Sequence, residues 1–108
     1  LEINMDYKVI FTENAMEDMD SIVEYLLFHL RNKQAACHFI DSIENGKFVL
    51  RNSAESFQLC LIPRLQSKGY RRLNLDKTQY FLLYRTENSI VFVDGIYHQF
   101  QDYENKIK

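Results

Sequence analysis

The sequence predicts an α+β fold: an antiparallel β-sheet packed against an α-helical hairpin, with a short C-terminal helix. Three observations predict it. Residues 70–97 hold three strand-like runs divided by two short polar connections. Residues 13–50 repeat apolar side chains at helical spacing, broken at Arg31-Asn32-Lys33. Residues 7–12 read as a further strand ahead of the helices. An amphipathic helical hairpin must bury one face, and the strands offer an apolar surface for it.

The elements follow in chain order. Thr12 or Asn14 is placed to cap the first helix, since a side-chain oxygen there accepts from free N–H groups of the first turn. Glu13, Glu17 and Asp18 set negative charge at the positive end of the helix dipole. Ala15, Met19, Ile22, Val23, Leu26, Leu27 and Leu30 form the apolar stripe, opposite Glu17, Asp20 and Glu24. Asn32 is placed to cap a second helix whose rhythm runs through Ala35, Ala36, Phe39, Ile40, Ile43 and Leu50. Gly46 interrupts that helix at about 1 kcal/mol relative to Ala, and a close approach of two helices is the expected reason. The short connection implies an antiparallel hairpin.

Residues 52–68 give no clear period. They contain Phe57, Leu59, Leu61, Ile62 and Leu65, too apolar for a free loop, so they are expected to lie against the body. Pro63 argues against a central strand or a helix interior there. Residues 70–75 alternate, and residues 79–85 are nearly all apolar, as in a strand buried on both faces. Residues 90–97 are β-branched and aromatic. Asp76-Lys77-Thr78 and Thr86-Glu87-Asn88-Ser89 are the turns that make these strands a meander. The predicted core contains Leu26, Phe39, Ile43, Leu83 and either Val91 or Phe92.

The 108 residues suggest one domain, here taken as residues 5–108, with Met5 as the expected native start and residues 1–4 preceding it. A 46% hydrophobic content supports a real core and argues against disorder. No apolar run approaches a membrane span, and no signal-peptide pattern appears, so no membrane partner is expected. Cys37 and Cys60 lack metal-ligand spacing and read as reduced thiols of a cytoplasmic protein. The net charge of −2 is unevenly spread: residues 61–85 carry six bases against one acid. Such a focused basic patch on an acidic body suits an acidic partner segment or a limited phosphate contact, not broad coating of nucleic acid. No Gly-rich phosphate loop, metal set or nucleophile triad is present, so no metal or cofactor is implied.

Within residues 69–103, Gly69-Tyr70-Arg71-Arg72-Leu73, then Tyr80 to Tyr84-Arg85, Ile90 to Val93, and His98 with Asp102-Tyr103 follow one another in a distinctive order. That order and spacing resemble the RelE/ParE superfamily of bacterial type II toxins. The resemblance implies a toxin neutralised by a cognate antitoxin in a hetero-oligomer, with growth inhibition and plasmid stabilisation as its setting. In RNA-cleaving relatives, a base, an acid and several cations promote attack of a ribose 2′-OH on the adjacent phosphate. Carried over, the reduced catalytic set is Arg71, Arg85, His98 and Tyr103. Leu73, Phe81 and the stretch Gln99-Phe100-Gln101 stand where such relatives carry cations. His98 has a rival reading as a strand-end residue with a structural hydrogen bond, and Tyr103, four residues before Ile107, as an anchor for the last helix. The resemblance therefore points to the ParE-like side: inhibition of DNA gyrase by protein contact, with ribosome-dependent mRNA cleavage as the alternative and an inactivated antitoxin-binding module as a third. Arg64, Lys68 and Arg72 are the expected antitoxin-binding residues.

Overall fold

The computed structural model describes residues 7–101. β1 (Lys8–Phe11) leads into α1 (Glu13–Glu24), which continues as a π-helical turn over Tyr25–His29. α2 (Lys33–Ser53) follows, then a 3₁₀ turn over Ala54–Ser56, the short α3 (Pro63–Ser67), β2 (Arg71–Asn74), β3 (Tyr80–Glu87) and β4 (Ile90–His98). Of Thr12 and Asn14 it is Thr12 that caps α1, its Oγ1 accepting from the Ala15 amide at 3.3 Å, and the expected Asn32 cap forms, its Oδ1 accepting from the Ala35 amide at 3.0 Å. Pro63 sits in the first turn of α3, where its missing N–H leaves no bond unmade.

The strands form one sheet in the order β1-β4-β3-β2. β2, β3 and β4 make the antiparallel meander, but β1 runs parallel to β4, with Lys8 opposite Ile90 and Phe11 opposite Val93. The sheet is therefore mixed, not antiparallel throughout. The helical hairpin is a crossover long enough to return the chain to the sheet in the same direction, which a tight hairpin cannot do. The expected C-terminal helix, with Asp102 and Tyr103, lies outside the described residues.

Two apolar clusters sandwich the sheet. On one face, Leu73, Leu82, Tyr84, Val91, Val93 and Ile96 pack under α1 and α2 with Leu26, Phe39, Ile43 and Leu50. On the other, Tyr70, Phe81, Leu83 and Tyr97 pack against Cys60 and Leu65. Residues 57–68 thus lie against the body: Phe57 packs on the helix-side cluster, while Cys60, Ile62 and Leu65 cover the second face. Leu83 is fully buried as predicted, but in this second cluster and not under the helices. Of the two alternatives in β4, Val91 is the helix-side core residue; Phe92 is only half-buried.

β3 and β4 slip register once. Leu83 pairs with Gly95 but Tyr84 with Val93, which leaves Asp94 as the extra residue of a bulge. Past the end of β1, the Ile96 amide donates to Asp18 Oδ2 at 3.1 Å, so α1 itself satisfies the exposed edge of β4.

Candidate functional site

Arg71 pairs across the sheet with Tyr84 and shares its face. Its Nε donates to the Phe57 carbonyl at 2.7 Å, tying the covering segment to the edge strand. Arg72 takes the opposite face, its guanidinium 3.8 Å from the centre of the Phe81 ring. Arg85 follows Tyr84 in β3, so it shares the face of Arg72 and not that of Arg71. Its Nε donates to Asp94 Oδ2 at 3.0 Å, Glu87 stands 3.7 Å away, and the Phe92 ring lies beneath it at 4.7 Å. Burial works against the Arg85 charge, but Asp94, and after it Tyr70, hold its pKa above the usual value. Tyr70 donates to the same Asp94 oxygen at 2.6 Å, and burial first, then Asp94, pushes its phenol up to about 12.

His98 lies at the far end of β4, opposite Tyr80. Tyr80 is four residues from Tyr84 along β3, about 13 Å at the usual rise per residue. The Phe100 amide donates to His98 Nδ1 at 3.2 Å, which makes Nδ1 the unprotonated nitrogen. Nε2 then carries the proton and donates to Gln79 Oε1 at 2.9 Å. Both ring nitrogens are engaged, as in the structural reading of this residue. Tyr103 lies outside the described residues. The three described members of the reduced catalytic set are thus divided: Arg71 on one face, Arg85 on the other, His98 at the far end of the sheet.

The positions where cations are missing divide the same way. Leu73 pairs with Leu82 under the helices, whereas Phe81 faces the second cluster. Arg72 and Asn74, the latter paired directly with Phe81, are the β2 residues that share its face; Leu73 does not. Arg64 on α3, Lys68 at its C-terminal cap and Arg72 on β2 belong to the elements of the second face, with Lys68 exposed and the other two half-buried.

Around His98 the fold assembles a group that the linear sequence does not display. A cleft of about 400 Å³ opens between the hairpin and the end of the sheet, floored by Leu26, Ala35 and Phe39 and walled by Tyr25, Tyr80, His38 and His98. Lys77 stands at its rim in the β2–β3 turn, where the His38 Nε2 meets the Lys77 carbonyl at 3.2 Å. Ala35, His38 and Phe39 share one helix face by spacing, a signal that could have placed His38 beside the core. Nothing in the sequence announces the π-helical turn that presents Tyr25. Among the described residues no cluster of His, Cys, Asp or Glu is placed to hold a metal ion, and no helix is long and apolar enough to cross a membrane.

No curated protein matches this chain in sequence. Among solved structures, the chromosomal ParDE TA system from P. aeruginosa superposes with a TM-score of 0.70 at 18% identity, over 87% of this chain and 97% of that one. That likeness is one of fold. The sequence model described as ParE toxin of type II toxin-antitoxin system, parDE, matches residues 9–103. With that match spanning nearly the whole sequence, this chain belongs to the ParE toxin family of type II toxin–antitoxin systems.

Proposed function

We propose that this protein is the toxin of a two-protein system, held inactive by a cognate antitoxin, and that it inhibits DNA gyrase by protein contact without cutting RNA. One observation carries the choice between targets. Arg71, Arg85 and His98 do not surround a common point, and each is already engaged: Arg71 by a backbone carbonyl, Arg85 by Asp94, His98 through both nitrogens. Phosphoryl transfer needs donors aimed together at the developing charge, and losing one such donor commonly costs 10²–10³ in rate. The exposed apolar side chains of Phe28, Phe48 and Leu61 also favour protein contact.

In this reading an acidic segment of the antitoxin docks across Arg64, Lys68 and Arg72, where charge complementarity speeds and orients association. The test sets a gyrase supercoiling assay beside a translating-ribosome assay read by primer extension. Inhibited supercoiling without RNA cuts is expected. Codon-phased mRNA cuts that vanish in Arg71→Ala or Tyr103→Phe overturn the gyrase reading in favour of cleavage at the ribosome. Inactivity in both assays, with antitoxin binding intact, makes the chain an inactivated binding module. Calorimetry with the product of the neighbouring gene places the antitoxin surface: reversing the charges at Arg64, Lys68 and Arg72 should weaken binding, and unchanged affinity puts that surface elsewhere.

A further inference from the structure

The cleft beside His98 has features that the toxin–antitoxin reading does not use. Three irregularities of backbone meet around it. The helix changes to π-helical pitch over Tyr25–His29, directly above the cleft. Arg31, just after that turn, has φ 51°, and Lys77, on the opposite rim, has φ 59°. Helical π-turns and left-handed residues other than glycine, asparagine and aspartate are uncommon, and both concentrate where a fold has been shaped around a ligand.

The lining narrows what the ligand is. The floor is apolar and the walls are flat rings. Tyr80 stands edge-on to Phe39 at 5.2 Å and to His98 at 5.4 Å, while Tyr25 stacks on His29 at 5.6 Å and is 47% exposed. Burial, and then Tyr25, raises the pKa of Tyr80, and both residues line the cleft. Among the described residues neither phenol oxygen makes a hydrogen bond with the protein. Among the described residues that line the cleft there is no carboxylate, and Lys77 is the one that carries a full charge. A cavity of this size, apolar with a few placed polar groups, matches small-molecule sites in general.

We propose that this cleft binds a nucleotide, its base among the rings of Tyr25, Tyr80 and His98 and its phosphate at Lys77. A flat apolar side chain from a peptide would fill the floor but leave both phenols without partners. A heterocyclic base offers several nitrogen and oxygen atoms along its edge to meet them, and its face stacks on tyrosine as readily as a side chain does. Among the described lining residues, Lys77 with no carboxylate beside it favours an anionic ligand, which a nucleoside phosphate is and an uncharged nucleoside is not. This inference does not rest on the choice between gyrase and ribosome.

The chain contains no tryptophan and seven tyrosines, of which Tyr25 and Tyr80 line the cleft, so intrinsic tyrosine fluorescence includes a signal from the cleft. The protein is titrated with AMP, GMP, CMP and UMP, then with adenosine and with inorganic phosphate. Saturable quenching by at least one nucleotide below millimolar concentration is expected, with adenosine at least tenfold weaker and inorganic phosphate inert. Tyr25→Ala and Lys77→Gln should each weaken that nucleotide at least tenfold, while Lys8→Gln, opposite Ile90 at the other end of β4 from His98, leaves it unchanged. Circular dichroism confirms that each variant is folded, and Tyr25→Phe, which keeps the ring, should retain more affinity than Tyr25→Ala. Four results overturn the proposal: no saturation by any nucleotide, equal competition by inorganic phosphate, indifference to Tyr25→Ala in a folded variant, or tighter binding of a short acidic peptide carrying an aromatic residue.

Discussion

Asp94 shows how much one bulged residue can hold. The extra residue in β4 turns its carboxylate toward both Tyr70 and Arg85, and one oxygen accepts from each. Asp94→Ala would leave the buried Tyr70 hydroxyl without its acceptor and Arg85 without its main counter-charge. The expected loss is about 2–3 kcal/mol in urea unfolding, with Asp94→Asn losing less because one acceptor remains. A loss under about 0.5 kcal/mol would mean that water replaces the carboxylate at no net cost. The tyrosines give a second prediction at this scale. Burial first, with nearby acids after it, pushes Tyr70 and Tyr97 from their ordinary 10.0 up to about 12, and burial raises Tyr84 further. Above pH 10 the unfolded chain releases phenol protons that the folded chain keeps. The stabilisation is therefore complete below pH 10 and is lost as pH rises toward 12. Denaturation midpoints should fall across that window and fall less steeply in Tyr84→Phe; a flat profile would contradict it. That variant also loses the 2.7 Å bond from Tyr84 to the Ala54 carbonyl, so its midpoint should already be lower at neutral pH.

At the scale of elements, Gly46 is the instructive case. The sequence suggested that it lets two helices approach. The close approach is instead between α2 and the sheet: a methyl group at Gly46 would lie 3.1 Å from Leu75 Cδ2 and 3.3 Å from Leu82 Cδ1. Gly46→Ala sets a helix-propensity gain of about 1 kcal/mol against a contact that flexible leucine ends can relieve, so its stability should stay within about 1 kcal/mol of the parent. Gly46→Leu cannot be accommodated that way and should lose at least about 1–3 kcal/mol through overpacking. Equal thermal midpoints for Gly46→Leu and the parent would mean that α2 is free to lift from the sheet. The first helix teaches a different lesson. Its apolar stripe continues to Leu30, so periodicity reads one regular helix, whereas the chain widens to π-helical pitch at Tyr25. One extra residue per turn changes which side chain faces which neighbour without altering the composition that a periodicity search weighs.

Over the whole molecule, the covering segment decides the architecture. Residues 57–68 bury Cys60 and Leu65 on the second face of the sheet, which makes β3 an apolar strand on both sides. Leu65 is fully buried on a helix of only five residues. If this segment is part of the core, Leu65→Ala should lose about 2–5 kcal/mol in equilibrium unfolding. A loss below about 0.5 kcal/mol would make the segment a detachable flap. The same segment brings Arg64 and Lys68 to the face that carries Arg72 and Arg85, whereas Arg71 takes the opposite face and Lys77 the rim of the cleft, so the basic run of the sequence is divided in space.

Although it did not reveal α3, the sequence alone determined the two long helices, the cap at Asn32, the three strands of the meander and the double-sided burial of β3, and it narrowed the first cap to Thr12 or Asn14. These follow from interactions within a few residues: side-chain capping, alternation, helical spacing and turn-forming residues. Asn88 and Ser89, with φ 52° and 67°, are legible as a hairpin turn because such residues favour that conformation; Arg31 and Lys77 adopt it too, and their side chains give no sign of it. Tertiary structure alone decided the parallel pairing of β1 with β4, the bulge at Asp94, the face to which Leu83 belongs, and the placing of His38 and His98 along one cleft. Alternation says that neighbouring residues face opposite ways, but not which way faces the helices. That choice is made when distant apolar surfaces find each other, and the pairing of Arg71 with Tyr84 then sets Arg71 and Arg85 on opposite faces of the sheet.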